Sequence, residues 1–238
     1  MAKVIAVVGA GPGIGMAVAE RFGREGFTVA LVARNAARLA TQVDTLRGRG
    51  ITAEAFPADV LDRPALVQAL ERAGARFGGI DVLEYGVASG VLQRPLEITP
   101  EGVQGQLDVA VLGPVAAVQT VLPGMLARKD GGILFTTAGS CYFPMAFTAN
   151  FGVAAGAQLN YARVLHHALA PLGIYAGIVA VSAMVAPRGV DPATLDKPGG
   201  FPITTLEAVS QAHWDLYTKR NAVDAVVGDL DRLRSLAF

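Results

Sequence analysis

This sequence predicts a single doubly wound α/β domain with a mainly parallel sheet and helices on both faces, and three observations carry that expectation. Short runs rich in β-branched residues alternate with longer stretches of helical period. The strand-like runs are apolar throughout rather than alternating, as in strands covered on both sides. The 238 residues suffice for one such domain, and no repeat, low-complexity tract or linker divides them.

The elements follow in order. Val4 to Val8 reads as the first strand, then glycine-rich punctuation, then a helix over about 13–25. A second strand spans 27–33, and Ala36, Leu39, Val43 and Leu46 mark one face of the second helix. Further strands are expected over 51–58, 80–85, 133–137 and 174–181, with helices over 64–77 and 149–170. Thr99 followed by Pro100 opens a long helix towards Arg128, because a hydroxyl caps the first turn and proline lacks only an N–H that has no partner there. Thr204-Thr205-Leu206-Glu207 reads as a capping box for a late helix bearing Trp214 and Tyr217. Those two aromatics are expected to wall an apolar pocket. The segment 187–202, rich in Pro and Gly, is either a mobile lid or an ordinary surface loop.

Composition excludes several classes. Twenty basic and twenty acidic side chains cancel, so no net field gathers nucleic acid or anionic lipid. At 52% apolar residues with 28 glycines the chain is neither disordered nor a coiled coil. One cysteine, Cys141, permits no intrachain disulfide and no Cys-rich metal site, which suits a reducing cytoplasm. The uncharged stretch 109–127 is interrupted by Gly113, Pro114, Gln119 and Pro123, so burial in a soluble cytoplasmic protein explains it better than a membrane span. From Gly131 to Pro187 the one formal charge is Arg163. A helix there has almost no charged face, which points to packing against a second copy in a homodimer or homotetramer.

The first strand runs straight into Gly9-Ala10-Gly11-Pro12-Gly13-Ile14-Gly15 and then a helix. Glycines permit the tight turn and let backbone N–H groups approach a pyrophosphate, and the helix N-terminus adds positive dipole. The context predicts a Rossmann-type dinucleotide site in a nucleotide-binding half over about 1–130. A substrate and oligomer half then covers about 131–238. At the tip of the second strand, Ala33-Arg34-Asn35 carries no acid to accept the ribose hydroxyls of NAD. The Arg34 guanidinium can fork onto a phosphate instead, which favours NADP over NAD. Asp59 and Val60 end the third strand; Asp59 holds the adenine edge or caps the following helix. Tyr85 and Glu84 stand where the nucleotide's ribose should pass.

With these residues in view, the chain resembles the short-chain dehydrogenase/reductase family. Gly9-x-Gly11-x-Gly13-Ile14-Gly15, Val32-Ala33-Arg34, Asp59-Val60, Asp81-Val82-Leu83, Leu107-Asp108-Val109, Leu122-Pro123 and Gly131-Gly132-Ile133 fall in that family's order and spacing, over roughly residues 3–190. The resemblance implies NAD(P)-dependent oxidoreductase chemistry and oligomers packed through two long helices. It also implies four catalytic side chains that are missing here: Ala110 stands for the family's Asn, Ala138 for its Ser, Phe151 for its Tyr and Ala155 for its Lys. A positioned general acid contributes about 10²–10⁴ in rate, and Phe151 has no proton to give.

Tyr142 is then the best replacement proton donor near the end of the fifth strand, with a pocket-lining aromatic as its plainer role. Cys141 has no basic neighbour in sequence to make it a thiolate. His166 and His167 lie too far along their helix to serve the site and are expected at a subunit contact, and no metal cluster is expected. The leading expectation is an atypical NADP(H)-dependent oxidoreductase acting on an apolar small-molecule substrate. The alternatives are a catalytically silent NADP(H)-binding, sensing or scaffold protein, and a non-redox enzyme on the same fold.

Overall fold

The computed structural model describes residues 2–88, 90–197 and 200–236. Seven strands form one sheet: β1 (Val4–Val8), β2 (Thr28–Val32), β3 (Ala53–Ala55), β4 (Val82–Tyr85), β5 (Gly131–Ala138), β6 (Ile174–Ser182) and β9 (Asp224–Gly228), with β7 (Met184–Val185) and β8 (Ile203–Thr204) paired apart from it. Their order is β3-β2-β1-β4-β5-β6-β9, and every neighbouring pair is parallel. After β1 the chain builds outward to β2 and β3, then returns to place β4 on the other side. That reversal leaves a crevice beyond the carboxyl ends of β1 and β4.

Alternate residues of each strand feed two buried layers. Ile5, Val7, Leu31 and Leu134 pack on one face under α1 (Ile14–Gly23), α2 (Ala36–Arg47) and α7 (Leu206–Lys219). Val8, Leu83, Tyr85 and Phe135 pack on the other under α3 (Arg63–Phe77), α5 (Gly113–Arg128) and α6 (Ala149–Leu169). Residues buried on both faces explain why the strands read as unbroken apolar runs.

Several helix starts follow their capping chemistry. Asn35 accepts from Arg38 N–H at 2.9 Å, Asp62 from Ala65 N–H at 3.0 Å, and Thr99 from Gly102 N–H at 3.1 Å, opening α4 (Pro100–Leu107). The last cap differs from the expected box. Thr205, not Thr204, accepts from the Ala208 N–H, because Thr204 belongs to β8 (Ile203–Thr204) and pairs with Val185 of β7 (Met184–Val185). This two-stranded ribbon pins both ends of the Pro- and Gly-rich segment, within which 198 and 199 lie outside the described residues.

The expected long helix is continuous from Pro100 to Arg128 but carries a π-turn over Asp108–Leu112 between α4 and α5. Tyr85 is fully buried there and donates its hydroxyl proton to the Val109 carbonyl at 2.8 Å. Gly113 lines the same spot, where a Cβ would have no room beside that phenol. This helical run is long and apolar enough to cross a membrane by length and composition, yet it packs against α3, β4 and β5.

Three other expectations change. The regular part of β3 is three residues rather than eight: Ile51 packs on α1 at Gly23, while the Phe56 and Ala58 N–H groups still reach the Leu31 and Ala33 carbonyls at 2.8 and 3.1 Å. β9 and α8 (Leu230–Leu236) are additional elements; β9 is a half-exposed edge strand whose apolar run, Ala225-Val226-Val227, is only three residues long. Trp214 and Tyr217 do not wall a pocket: they join Phe22 and Phe27 in an aromatic cluster between α7 and α1, with ring centroids 5.1–6.2 Å apart.

Candidate functional site

Two cavities meet at the carboxyl edge of the sheet. The first, of about 880 Å³, lies over the crevice and is lined by Gly9, Gly11, Arg34, Asp59, Val60 and Gly86 among others. Gly9 has φ +95°, and a Cβ on it would sit 2.6 Å from the Gly86 carbonyl oxygen, so glycine alone lets the β1 and β4 ends approach this closely. Gly15 is buried, and a Cβ there would sit 2.6 Å from the Gly9 carbonyl oxygen; it sets how closely α1 lies against the loop. A Cβ on Gly11 or Gly13 would meet only ordinary van der Waals contact, at 3.8 Å from the Gly9 carbonyl oxygen and 4.0 Å from Leu206. Pro12, Gly13, Ile14 and Gly15 shape the turn without lining the cavity.

No side chain caps α1 at Gly13; the Met16 N–H turns back to the Gly11 carbonyl at 3.2 Å, and the N–H groups of Ile14 and Gly15 open on the loop. A crevice lined by glycine backbone at an uncapped helix N-terminus suits a pyrophosphate. The residues present therefore fit a dinucleotide. At the other end of the groove Arg34 is 75% exposed and reaches Asp59 at 3.9 Å, a pair too open to hold it fast. Asp59 does not cap α3, a role taken by Asp62; its Oδ1 accepts from the Leu61 N–H at 3.0 Å, and it remains in the groove wall. Arg38 joins Arg34 there, one turn on in α2. Sequence reasoning passed over Arg38, although a second arginine at that spacing was the available signal.

Tyr85 is the clearest correction among the cofactor residues. Strand alternation turns it away from the groove into the core beneath α5, where it orders the π-turn. Glu84, beside it, faces the opposite layer and is completely buried. Its Oε1 accepts the Thr136 hydroxyl proton at 2.7 Å, and Thr136 Oγ1 lies 2.9 Å from His213 Nε2 on α7. With the Thr136 proton directed at Glu84, the Thr136 oxygen accepts from His213 Nε2 in the tautomer that carries its proton there. Glu84 Oε2 and His213 Nδ1 have no hydrogen-bond partner. Burial pushes the Glu84 carboxyl up to about 8 against the weaker pull of the Thr136 hydrogen bond, and burial pulls His213 down to about 3. Both are neutral near pH 7. The cluster sits directly behind the groove floor, since a Cβ on Gly86 would meet Glu84 Oε1 at 2.6 Å. His213 went unread in the sequence, although Val209, His213 and Leu216 share one inward helical stripe.

The second cavity, of about 680 Å³, shares Ala88 with the first. Its wall is largely apolar: Leu92, Met145, Phe147, Phe151, Met184 and Phe201 contribute, and Ala138 lies among them. Ala110 and Ala155 are buried beside this region and do not line it. Of its hydroxyls, Thr148 donates to the Met145 carbonyl at 3.1 Å and Ser182 to the Val227 carbonyl at 3.4 Å. Ser140 Oγ is without a partner.

Tyr142 lines neither cavity. Its hydroxyl donates to Asp224 of β9, which also accepts from Arg163 at 2.8 Å. Burial and that carboxylate both raise the phenol above its ordinary range, and the hydrogen bond ties the β5–α6 connection to the edge strand, as Arg163 ties α6 to it. Burial likewise pushes the Cys141 thiol up to about 12. His166 Nδ1 lies 2.8 Å from the Ala176 carbonyl oxygen, a contact within the chain. Among the described residues no group of His, Cys, Asp and Glu gathers as a metal site.

The sequence profile described as short chain dehydrogenase matches residues 3–194. An uncharacterised oxidoreductase of Mycobacterium tuberculosis is 32% identical over 138 residues, 56% of this chain and 40% of that protein. This chain thus spans well under half of that relative's length. The 2,3-dihydro-2,3-dihydroxybenzoate dehydrogenase of Bacillus subtilis is 30% identical over 179 residues, 74% of this chain and 68% of that one. Among solved structures, L-sorbose reductase from Gluconobacter frateurii complexed with NADPH and L-sorbose superposes with a TM-score of 0.85, 22% identity and 95% coverage of both chains. A short-chain oxidoreductase from Pseudomonas aeruginosa PAO1, described as containing an atypical catalytic center, gives 0.84, 21% and 95% of both. At these identities the structural likeness is one of fold. The family profile, which covers most of the chain, and the strand order with its glycine-bridged crevice agree: this chain belongs to the short-chain dehydrogenase/reductase family of oxidoreductases.

Proposed function

We propose that this chain is an atypical NADP(H)-dependent oxidoreductase whose substrate is an apolar small molecule. The observation that carries the reading is the shared wall at Ala88, which joins a glycine-lined groove to an apolar cavity. In this reading Gly9 and Gly11, whose own N–H groups bond the Val32 and Gly9 carbonyls, leave room for the pyrophosphate, and the N-terminus of α1 holds it. Arg34 and Arg38 take a 2′-phosphate, and Asp59 and Val60 border the adenine. A bound nicotinamide supplies the hydride donor or acceptor. NADPH accompanies the Gluconobacter neighbour and 5-hydroxy-NADP an alcohol dehydrogenase from Thermococcus sibiricus, whereas NAD accompanies a Brucella melitensis reductase, so the fold admits either cofactor.

The chain's own contribution is to bind, orient and exclude water. Phe151 and Ala138 occupy the wall where the family's acid and its hydroxyl partner belong and have no proton to give, so in this reading solvent at the cavity mouth supplies it. That same wall favours one rival, an NADP(H)-binding protein that does not turn over. A homodimer or homotetramer packed through α5 and α6 completes the proposal.

Titration of the protein with NADPH, NADP, NADH and NAD tests the cofactor half. NADPH should bind more tightly than NADH, and Arg34→Asp should lower that preference by about tenfold, the scale of one charge-assisted contact. Equal preference in both proteins removes Arg34 from the site. Oxidation of NADPH with a panel of apolar carbonyl compounds supports the enzyme; tight binding with no turnover supports the rival.

A further inference from the structure

We infer that the apolar cavity takes a molecule with one carboxylate at the end of an apolar chain, and that Arg94 holds that carboxylate at the cavity mouth. The inference rests on the proposal that this cavity is the substrate's. At about 680 Å³ it falls within the range of sites that enclose small ligands. Among the described residues that line it, Arg94 is the one that carries a charge. Arg94 is exposed, and no ion pair joins it to Glu97, Glu101 or any other described carboxylate.

The segment that delivers Arg94 is anchored by buried side chains. Asn150, at the start of α6 and fully buried, accepts from the Gln93 N–H at 2.8 Å and donates to the Val91 carbonyl at 3.0 Å. Gln106 of α4, 2% exposed, donates to the same carbonyl at 2.6 Å. The Ala149 N–H reaches the Gln93 carbonyl at 3.0 Å, and the Arg94 carbonyl accepts from Glu97 N–H at 2.9 Å. Two buried amides spent on one short loop fix where the guanidinium leaves the backbone, a form of pre-organisation that raises affinity.

Charge then sorts the ligands. A cation would be repelled. A neutral chain would fill the cavity and gain nothing from Arg94. A phosphomonoester brings close to two charges against a single guanidinium, whereas one carboxylate matches the planar fork of one arginine. Ser140, buried in the wall with its Oγ unpartnered, offers a second hydrogen bond for a polar group along the chain.

The test uses octanoate and octan-1-ol as probes, titrated by calorimetry into the whole protein, its Arg94→Ala and Arg94→Lys variants, with NADPH titrated into each. Octanoate should bind wild type more tightly than octan-1-ol. Arg94→Ala should weaken octanoate about five- to tenfold with octan-1-ol unchanged, and Arg94→Lys should restore part of the loss. Equal affinity for the two probes in wild type overturns the inference, as does octanoate binding that ignores Arg94→Ala. Undiminished NADPH binding in both variants shows that they fold. Octanoate bound through Arg94 in a protein that takes no NADPH would leave this inference standing and remove the cofactor reading; NADPH binding without octanoate would do the reverse.

Discussion

Glu84, Thr136 and His213 run in a hydrogen-bonded line behind the groove floor, and the line stores a pH dependence. Glu84 is raised from its ordinary 4.5 to about 8, so between those values the folded chain holds a proton that the unfolded chain has lost, and stability falls as pH rises. His213 is lowered from 6.5 to about 3, so across that span the unfolded chain binds the extra proton and stability rises with pH. The two slopes oppose between 4.5 and 6.5, which places the stability maximum there. Above 6.5 only the Glu84 slope remains, amounting to about 2 kcal/mol lost by pH 8. Glu84→Gln keeps the shape and cannot ionise, so thermal melts of the variant should lack that alkaline decline relative to wild type. Parallel alkaline slopes in the two proteins would refute the buried-carboxylate account.

At the level of whole elements, the π-turn at Asp108–Leu112 is the informative irregularity. A helix gives up regular hydrogen bonding where a side chain offers a substitute partner. Here Tyr85 supplies it, reaching across from β4 to the Val109 carbonyl beside Gly113. Tyr85→Phe leaves that carbonyl buried and unpaired, at a cost of about 1–2 kcal/mol. Denaturant unfolding should register the loss, while NADPH affinity should hold, because the phenol points away from the groove. A variant that loses cofactor binding with stability intact would return Tyr85 to the nucleotide site. The same alternation that sent Tyr85 inward sent Glu84 to the opposite layer, so neighbouring positions on one strand serve unrelated ends.

For the molecule as a whole, the question is what covers the helices that carry little charge. α6 exposes Val153 and Val164, at 52% and 55%, and Leu112 and Leu126 are exposed along the α5 side. Zero net charge offers no long-range repulsion between copies. Sedimentation velocity should therefore find a dimer or tetramer at micromolar concentration, and Val153→Glu with Val164→Glu should shift it towards monomer. A monomer in the wild type under those conditions would leave these faces as ordinary surface.

Much of this molecule was legible from local chemistry alone. The glycine loop, the arginine at the tip of β2, the cap at Thr99 and the apolar strands each depend on residues close in sequence, whose backbone geometry is set by steric limits and nearby hydrogen bonds. Tertiary packing decided the rest. Trp214 and Tyr217 on an inward helix face suit a pocket or a core equally well, and the presence of Phe22 and Phe27 opposite made them core. Tyr142 has a phenol fit for proton transfer until Asp224, from an edge strand with an apolar run of only three residues, binds it. Arg94 is one surface arginine among many until Asn150 and Gln106 place it at the mouth of a cavity. A side chain's chemistry belongs to its residue type, but its neighbours and its dielectric surroundings exist only once distant segments are folded together.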